Sequence, residues 1–446
     1  MTCQSTVGAI QSQIRRGEFV AAYANALMLL NSHPADYAVG RLFLQTALYA
    51  ERVESVGALL ADLRDGIPAQ MSALLNLQAN LHCGDFDGAQ RCLQQSGLTE
   101  NSLIFHDCAY RIAFRQHKLE SALTHLDAME RFGARPLEHF LAKFEILKLQ
   151  GRYPAITDTI QQLLPLLAAE SVSARWQLKL WQAGIAHSEL RFQDSVMLAQ
   201  DLIGEYLASP MAQQTVDAPP AKPWTRQRQH QVMADLERLI LQHKLPVFLA
   251  AGSLLALVRE GDFFASDKDI DLGVVEAGAE GVAQTLVASG YFDDISPPGY
   301  FIGYKQMRHR RTDFIVDIAQ YQAAGEKLMA CWRHPSGQVL REAVYPHFGL
   351  RDWDHPVLRC RIPVPDDLEA YLGSMYGNWR TPDPQFDTVI AACNLTGLTD
   401  FLLSLTQIRI SHALLGNARN TAKALSGYLQ KRGVHSELLE CIDALP

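Results

Sequence analysis

Residues 1 to about 207 carry apolar positions at helical spacing, and the pattern repeats along the chain. Polar breaks at Gly17-Glu18, Arg52, Gly84-Asp85, His117-Lys118, Gly151-Arg152 and Arg191 are flanked by apolar anchors at Phe19, Val53, Phe86, Leu119, Tyr153 and Phe192. The steps between anchors are 34, 33, 33, 34 and 39 residues. Three residues beyond each anchor stand Ala22, Val56, Ala89, Ala122, Ile156 and Ser195, positions suited to close helix packing. Helix after helix is expected up to residue 207. Residues 208–224 break the pattern, because Pro219, Pro220 and Pro223 block helix continuation. Val232, Leu236, Leu239 and Ile240 then share one face of a helix predicted over 225–244. Pro246 ends it, and Val247-Phe248-Leu249-Ala250 reads as a buried strand. A short helix follows and stops near Gly261, with Ser253 expected to cap it. Residues 269–275 and 312–318 alternate as strands, and 398–446 read as helices packed on the sheet region.

A chain of 446 residues exceeds one typical core, so several domains are expected. The pattern places them at 1–207, 225–395 and 396–446, with 208–224 as linker. A net charge of −8 offers no chain-wide positive field, which argues against nucleic acid as a partner. The eight cysteines contain no CxxC and read as reduced thiols. Cys331, His334, His347, His355 and Cys360 fit no standard zinc spacing. The N-terminal residues lack the apolar stretch of a signal peptide, and no apolar run reaches the length of a membrane span. A cytoplasmic protein without an integral membrane segment is the expectation.

The candidate chemistry lies in three stretches. Gly252-Ser253 follows the strand at 247–250; Gly252 would let backbone approach a phosphate, and the helix start favours an anion. Asp269 and Asp271 share one face of the next strand, with Asp267 just before them. Two carboxylates side by side repel unless a cation lies between them, which implies Mg²⁺ or Mn²⁺. Asp317, flanked by Val316 and Ile318, is placed to be a third ligand or a general base. Lys305, Arg308, His309, Arg310 and Arg311 precede that strand and could meet phosphates. Asp366 and Glu369 suit a capping box, and Gly377 suits the end of that helix. Tyr376 and Trp379 could stack on a base, cover an acceptor, or pin the helix to the core.

Two resemblances organise these features. A period near 34 resembles a degenerate tetratricopeptide array of five or six units, whose usual work is binding a protein partner. The run Gly252-Ser253-Leu254-Leu255, Arg259, Phe263, Asp267, Asp269-Ile270-Asp271 is similar to the signature of the LicD/fukutin family. It departs at Ala256, usually Gly, and Lys268, usually Asp. A second block, Val364-Pro365-Asp366-Asp367-Leu368-Glu369-Ala370-Tyr371-Leu372 with Tyr376-Gly377-Asn378-Trp379, is similar to that family's downstream segment. Together they cover about residues 230–395.

The resemblance implies an α+β chain: an all-α tetratricopeptide-like solenoid, a nucleotidyltransferase-fold mixed sheet, and C-terminal helices. It also implies transfer of a phospho-substituent (phosphocholine, ribitol phosphate or glycerol phosphate class) from a CDP-linked donor to a glycan hydroxyl. Asp269, Asp271 and Asp317 would then be the catalytic and metal-binding residues. Gly252, Ser253, Arg259, Asp267, Lys268, Lys305, Arg308, Tyr376 and Trp379 would contact substrate. Two alternatives stay open. One is NMP transfer from an NTP with pyrophosphate release; the other is a helical scaffold carrying an inactive domain.

Overall fold

The computed structural model describes residues 3–62, 66–132, 137–167, 171–213, 225–265, 267–276, 278–296, 301–359 and 361–445. Most of the expected linker, 214–224, and Cys360 lie outside the described residues. The chain is mixed α+β, with helices dominating its N-terminal part and a mixed sheet following them. The first twelve helices fall into six hairpins. These are α1 (Cys3–Arg15) with α2 (Phe19–Ser32), α3 (Tyr37–Tyr49) with α4 (Val56–Asp62), and α5 (Ala69–Cys83) with α6 (Phe86–Gln95). Then come α7 (Leu103–Arg115) with α8 (Leu119–Arg131), α9 (Leu137–Leu149) with α10 (Tyr153–Leu167), and α11 (Val172–Ser188) with α12 (Phe192–Leu207).

Each anchor begins the second half of a hairpin, Val53 through a short 3-10 turn (Val53–Ser55). The turn before each anchor has one geometry. Gly17, Glu51, Gly84, His117, Gly151 and Leu190, two residues ahead of the anchors, all have positive φ. The next backbone N–H closes back on the first helix, as in Asp85 N–H to Asn80 O at 2.9 Å and Lys118 N–H to Ala113 O at 2.8 Å. This is the Schellman closure, which satisfies the last carbonyls of a helix. Ala22, Val56, Ala89, Ala122, Ile156 and Ser195 are all fully buried.

The sheet region begins with α13 (Thr225–His243), whose Val232, Leu236, Leu239 and Ile240 are buried as expected. It continues with β1 (Val247–Leu249), α14 (Ala251–Glu260), β2 (Asp269–Val275), α15 (Ala279–Ala288) and β3 (Phe292–Asp294). Then come β4 (Tyr304–His309), β5 (Ile315–Ala324), β6 (Lys327–Arg333) and β7 (Val339–Pro346). These strands form one sheet in the order β1-β2-β5-β4-β3, with β6 and β7 continuing from β5. β2 and β5 run parallel, and the other pairs are antiparallel. A small ribbon, β8 (Leu350–Trp353) and β9 (Ile362–Pro365), leads to α16 (Leu368–Tyr376).

The C-terminal helices meet the expectation in part. α17 (Asp400–Leu415) sends Phe401 and Leu402 into the core of the sheet region but packs mostly on α11 and α12, α18 (Arg419–Lys431) packs on α17, and α19 (Glu437–Asp443) closes the end. Their turn repeats the hairpin geometry: Asn417 has φ +61, Ala418 N–H closes on Ala413 O at 2.8 Å, and Ala422 is fully buried. Thus α17–α18 are a seventh hairpin stacked on the sixth, and the sheet region is inserted between them. A buried polar chain seals the junction: His187 Nδ1 lies 2.9 Å from Ser404 Oγ, which donates to Ser195 Oγ at 2.8 Å.

The array also grips the insert. Gly84 sits at φ +71, and a Cβ there would stand 2.4 Å from the Arg311 Cα. Gly84→Ala should therefore destabilise by about 2 kcal/mol or more, from left-handed strain plus displacement of the β4–β5 hairpin. Gly17→Ala, which has the same strain but only Phe19 at 3.8 Å, isolates the docking component. Equal urea midpoints for the two variants would refute a tight hairpin contact.

Candidate active site

β2 alternates as the sequence requires: Ile270 and Leu272 are buried in the core, and Asp269 and Asp271 share the opposite face. Register then adds a neighbour that spacing alone could not. Asp271 pairs with Asp317 and Asp269 with Ile315 across the parallel strands. On the other side Asp317 pairs with Gln306 of β4. Gln306 Nε2 donates to Asp317 Oδ1 at 3.2 Å and to the Tyr304 hydroxyl at 3.1 Å. Tyr304 itself hydrogen-bonds Asp317, so two side chains orient this carboxyl.

The start of α14 closes over the acids. Ala250, not Ser253, precedes the helix, and no side chain caps it. Ser253 is fully buried and serves Asp271 twice: its hydroxyl accepts the Asp271 N–H at 2.9 Å, and its N–H donates to Asp271 Oδ2 at 3.2 Å. The acceptor held at this helix start is thus the Asp271 carboxyl. Gly252 supplies room, because a Cβ there would stand 3.0 Å from Asp271 Oδ2 and 3.5 Å from Asp267 Oδ2. The Ala251 N–H donates to the Tyr371 hydroxyl at 3.2 Å, which also pairs with Tyr321 at 2.8 Å.

Four half-buried carboxyls therefore crowd one space. Burial pushes Asp267 up to about 7, with the Asp269 charge adding to it. Burial likewise raises Asp317 to about 7, again with help from Asp269. Asp271 is raised well above the usual range by burial and by all three neighbours. Asp269 is raised by burial, against the pull of a hydrogen bond from Asp267 and the charges of Lys268 and Arg409. In this proton-sharing arrangement no group of three or more His, Cys, Asp or Glu among the described residues is set to hold a metal ion. The donor set is nonetheless all carboxylate oxygen, and it carries more charge than its surroundings offset. That chemistry fits a hard divalent cation.

Linkage gives a sign. Asp267 and Asp317 bind protons more tightly folded (about 7) than at their ordinary value of 3.8. Their contribution is fully present below about pH 4 and is lost as pH rises towards 7. Without divalent cations the melting temperature should fall between pH 5 and 8, and Asp317→Asn should flatten that fall. An unchanged slope in the variant would refute the assignment.

The remaining candidates divide. Lys305 lies on the opposite face of the sheet, with its ammonium on Glu280 at 2.7 Å and Asp294 at 3.2 Å, so it is not at the site. Arg308 is buried against Asp293, His117 and the Phe114 carbonyl. Arg310 also holds Asp293, Arg311 donates to Cys83 O, and His309 lies between Thr312 and Asp235. The basic run therefore fastens the insert and the helical array instead of facing phosphates. The physical reason is that buried Asp293 and the array's carbonyls claim those donors first. Asp313 is in the tight turn before β5, at φ +62, and pairs with Arg115 at 3.6 Å.

Arg259 donates to the Trp379 carbonyl at 3.3 Å and lies over the Phe264 ring, which ties α14 to the downstream block. Trp379 is buried; Lys268 is exposed beside Asp269. Tyr376 packs on Phe386, and its buried hydroxyl has no partner among the described residues. Its pKa is raised by burial and then by the Asp271 charge, so the ring adjoins the acids. The cap of α16 is Asp367, which accepts the Ala370 N–H at 2.9 Å, and not Asp366, which accepts from Gly349. Gly377 ends α16 at φ +63 as expected.

No protein-family model matches this chain, and no curated protein matches it. The site thus stands on its geometry. Tyr304, Gln306 and Arg409 carry no signal of their own in the sequence, and Tyr371 stands in the downstream block without an assigned role. Arg409 of α17, held by Asp387 at 2.6 Å, brings the seventh hairpin's charge to Asp269. Alternation along 304–306 could have put Tyr304 and Gln306 on one face, but only register shows that the face belongs to Asp317. No helix among the described residues is long and apolar enough to cross a membrane.

Proposed function

We propose that this chain is a metal-dependent transferase of the LicD/fukutin kind. It would move a substituted phosphate from a CDP-linked donor to a glycan hydroxyl and release CMP. The observation that carries the reading is the set of four half-buried carboxyls, Asp267, Asp269, Asp271 and Asp317, gathered at one helix start with raised proton affinity. Burying like charges is unfavourable without a compensating cation, and perturbed carboxyls of this sort cluster at functional sites.

Asp269, Asp271 and Asp317 would hold Mg²⁺ or Mn²⁺, which when bound supplies positive charge beside the donor's phosphates. Asp271 is oriented by Ser253, and α14 is pinned by Tyr371. Asp317, steadied by Gln306 and Tyr304, is placed to accept the proton of the attacking hydroxyl. The hydroxyl oxygen bonds to the substituent's phosphorus, the phosphorus–oxygen bond to CMP breaks, and the proton passes to Asp317. Tyr376 would line the substrate side, and exposed Lys268 would meet donor charge. The nucleotidyltransferase-type sheet and the tetratricopeptide-like character of the hairpins belong to the same reading. In it the array recruits the glycan or a protein partner, and the enzyme works in the cytoplasm, at the membrane's edge where surface polysaccharide is made.

The deciding experiment measures CMP release from CDP-choline, CDP-ribitol and CDP-glycerol, with and without Mg²⁺, using wild type and Asp269→Ala. Metal-dependent release lost in the variant supports the reading. Pyrophosphate release from an NTP, with no CMP from any donor, would replace it with nucleotidyl transfer. Silence in both assays, with no shift of melting temperature by Mg²⁺ and nucleotide, would leave a scaffold.

A further inference from the structure

The sheet face that carries the acids continues beyond them. Register puts Gln306 beside Asp317, Tyr304 beside Ala319, Ala330 beside Tyr321 and Arg341 beside Trp332. Side chains alternate across a strand, so Asp317, Gln306, Tyr304, Trp332 and Arg341 share one face. They also form a chain of contacts. Gln306 Nε2 donates to Asp317 at 3.2 Å and to the Tyr304 hydroxyl at 3.1 Å. The Tyr304 and Trp332 ring centroids lie 4.5 Å apart, and the Arg341 guanidinium stands 4.9 Å from the Trp332 centroid.

Arg341 is only 5% exposed, yet no carboxylate pairs with it among the described residues. Its Nη2 donates to the Thr388 carbonyl at 2.9 Å, and its Nε is buried without a partner. Trp332 Nε1 is likewise buried and unpartnered. Both orphans are donors. A buried charge without a counter-ion is costly, and a buried donor without an acceptor adds to the cost. Buried Arg308 shows the usual remedy, with Asp293 at 3.3 Å. The group missing at Arg341 is therefore an acceptor that carries negative charge. Trp332 is half-buried and offers an apolar ring beside that charge.

Arg341 is covered, through Thr388, by the connection 377–399 between α16 and α17. This long stretch carries no helix or strand beyond one bridge at Leu395, and stretches of that kind commonly serve as active-site lids. A hydrogen bond to a charged acceptor is about twice as strong as one to a neutral carbonyl. An anion can therefore take Arg341 from Thr388 as the connection lifts.

We propose that Trp332 and Arg341 form the acceptor subsite and that the acceptor is an anionic sugar. Its carboxylate or phosphate is held by the Arg341 fork, and its ring lies against Trp332. Calling this molecule the acceptor rests on the transferase reading, because only Tyr304 separates Trp332 from Asp317, the group placed to take the acceptor's proton. The need for an anion follows from the unpaired guanidinium itself.

The test measures binding and not turnover, so the subsite and the transferase reading fail separately. The full chain in EDTA is titrated by calorimetry with glucuronate, glucose 6-phosphate and glucose at equal ionic strength. One equivalent of at least one anionic sugar should bind saturably, and glucose at least tenfold more weakly. Affinity should fall at least tenfold in Arg341→Gln, and about threefold in Trp332→Phe, which keeps a ring and loses the Nε1 donor. Lys305→Gln, which removes a cation from the opposite face, should change nothing. Should Arg341→Gln fail to fold, Arg341→Lys replaces it, with an intermediate loss because the charge remains without the fork. Binding of glucuronate alone would make the acceptor a uronic acid glycan, and binding of glucose 6-phosphate alone a phosphorylated one. No saturable binding to wild type, glucose bound as tightly as the anions, or wild-type affinity in a folded Arg341 variant would overturn the proposal. So would an equal loss in Lys305→Gln. No CMP release from any donor, with anion binding intact, would remove the transferase reading and keep the anionic-sugar subsite.

Discussion

Asp271→Asn should abolish transfer and, without metal, make the protein more stable at pH 8. Asp271 is raised well above the ordinary carboxylate range by burial and by Asp269, Asp267 and Asp317. At pH 8 the wild type must either ionise a buried group among like charges or hold a proton against the solvent. An asparagine removes that conflict. Its side-chain oxygen can still accept the Ser253 N–H now given to Asp271 Oδ2. A gain of about 1–3 kcal/mol is expected, the usual scale for relieving a buried uncompensated polar group. It should vanish near pH 4, where the aspartic acid is already neutral. Mg²⁺ should raise the melting temperature of wild type and leave the variant unmoved, while the transfer rate falls at least about a hundredfold. Stability traded for activity in this way is usual where a site stores unfavourable charge. A variant that is less stable at pH 8, or one that still transfers, would sink the carboxyl reading.

Removing residues 399–446 should unfold the end of the array, although no catalytic candidate but Arg409 is lost. α17–α19 cover Trp176, Leu202, Ile203 and Tyr206 through Ile410, Leu414, Leu425, Leu429 and Ile442. Phe401 also packs on His187 and Phe192. Each large apolar side chain returned to water costs about 1.5–3 kcal/mol. Four of them approach the whole stability of a typical domain, about 5–15 kcal/mol. The truncated chain should therefore aggregate or lose the near-ultraviolet signal of Trp176. The complementary deletion, residues 214–398 replaced by a Gly/Ser bridge long enough to span α17, should leave a folded seven-hairpin array. The bridge must run the length of α17, because Phe401 at its start packs on Phe192 while Met211, just before the cut, meets Arg419 beyond its end. If the truncation melts like wild type, or the bridged array has no cooperative transition, the C-terminal helices are not the seventh hairpin.

Both predictions rest on features the sequence displayed unevenly. The six anchors were readable because helix period and turn chemistry are local, and each anchor starts its helical segment in the structure. The seventh was not, because the insert interrupts the period and its anchor is Arg419 instead of an apolar residue. Ser253 has the chemistry of a cap, but its hydroxyl goes to Asp271, eighteen residues away on another element.

The first six hairpins, the strand at 269–275 and the facing pair Asp269 and Asp271 are legible along the chain, because alternation and helical spacing depend on neighbours in sequence. Tertiary structure alone decided which acids meet. Register set Asp317 beside Asp271 and Gln306 beside Asp317, and it turned Lys305 away. Packing decided the fate of the basic run, because a guanidinium near a buried aspartate such as Asp293 goes to that charge before it waits for a ligand. These outcomes depend on which surfaces come together in space, and linear spacing carries no information about that.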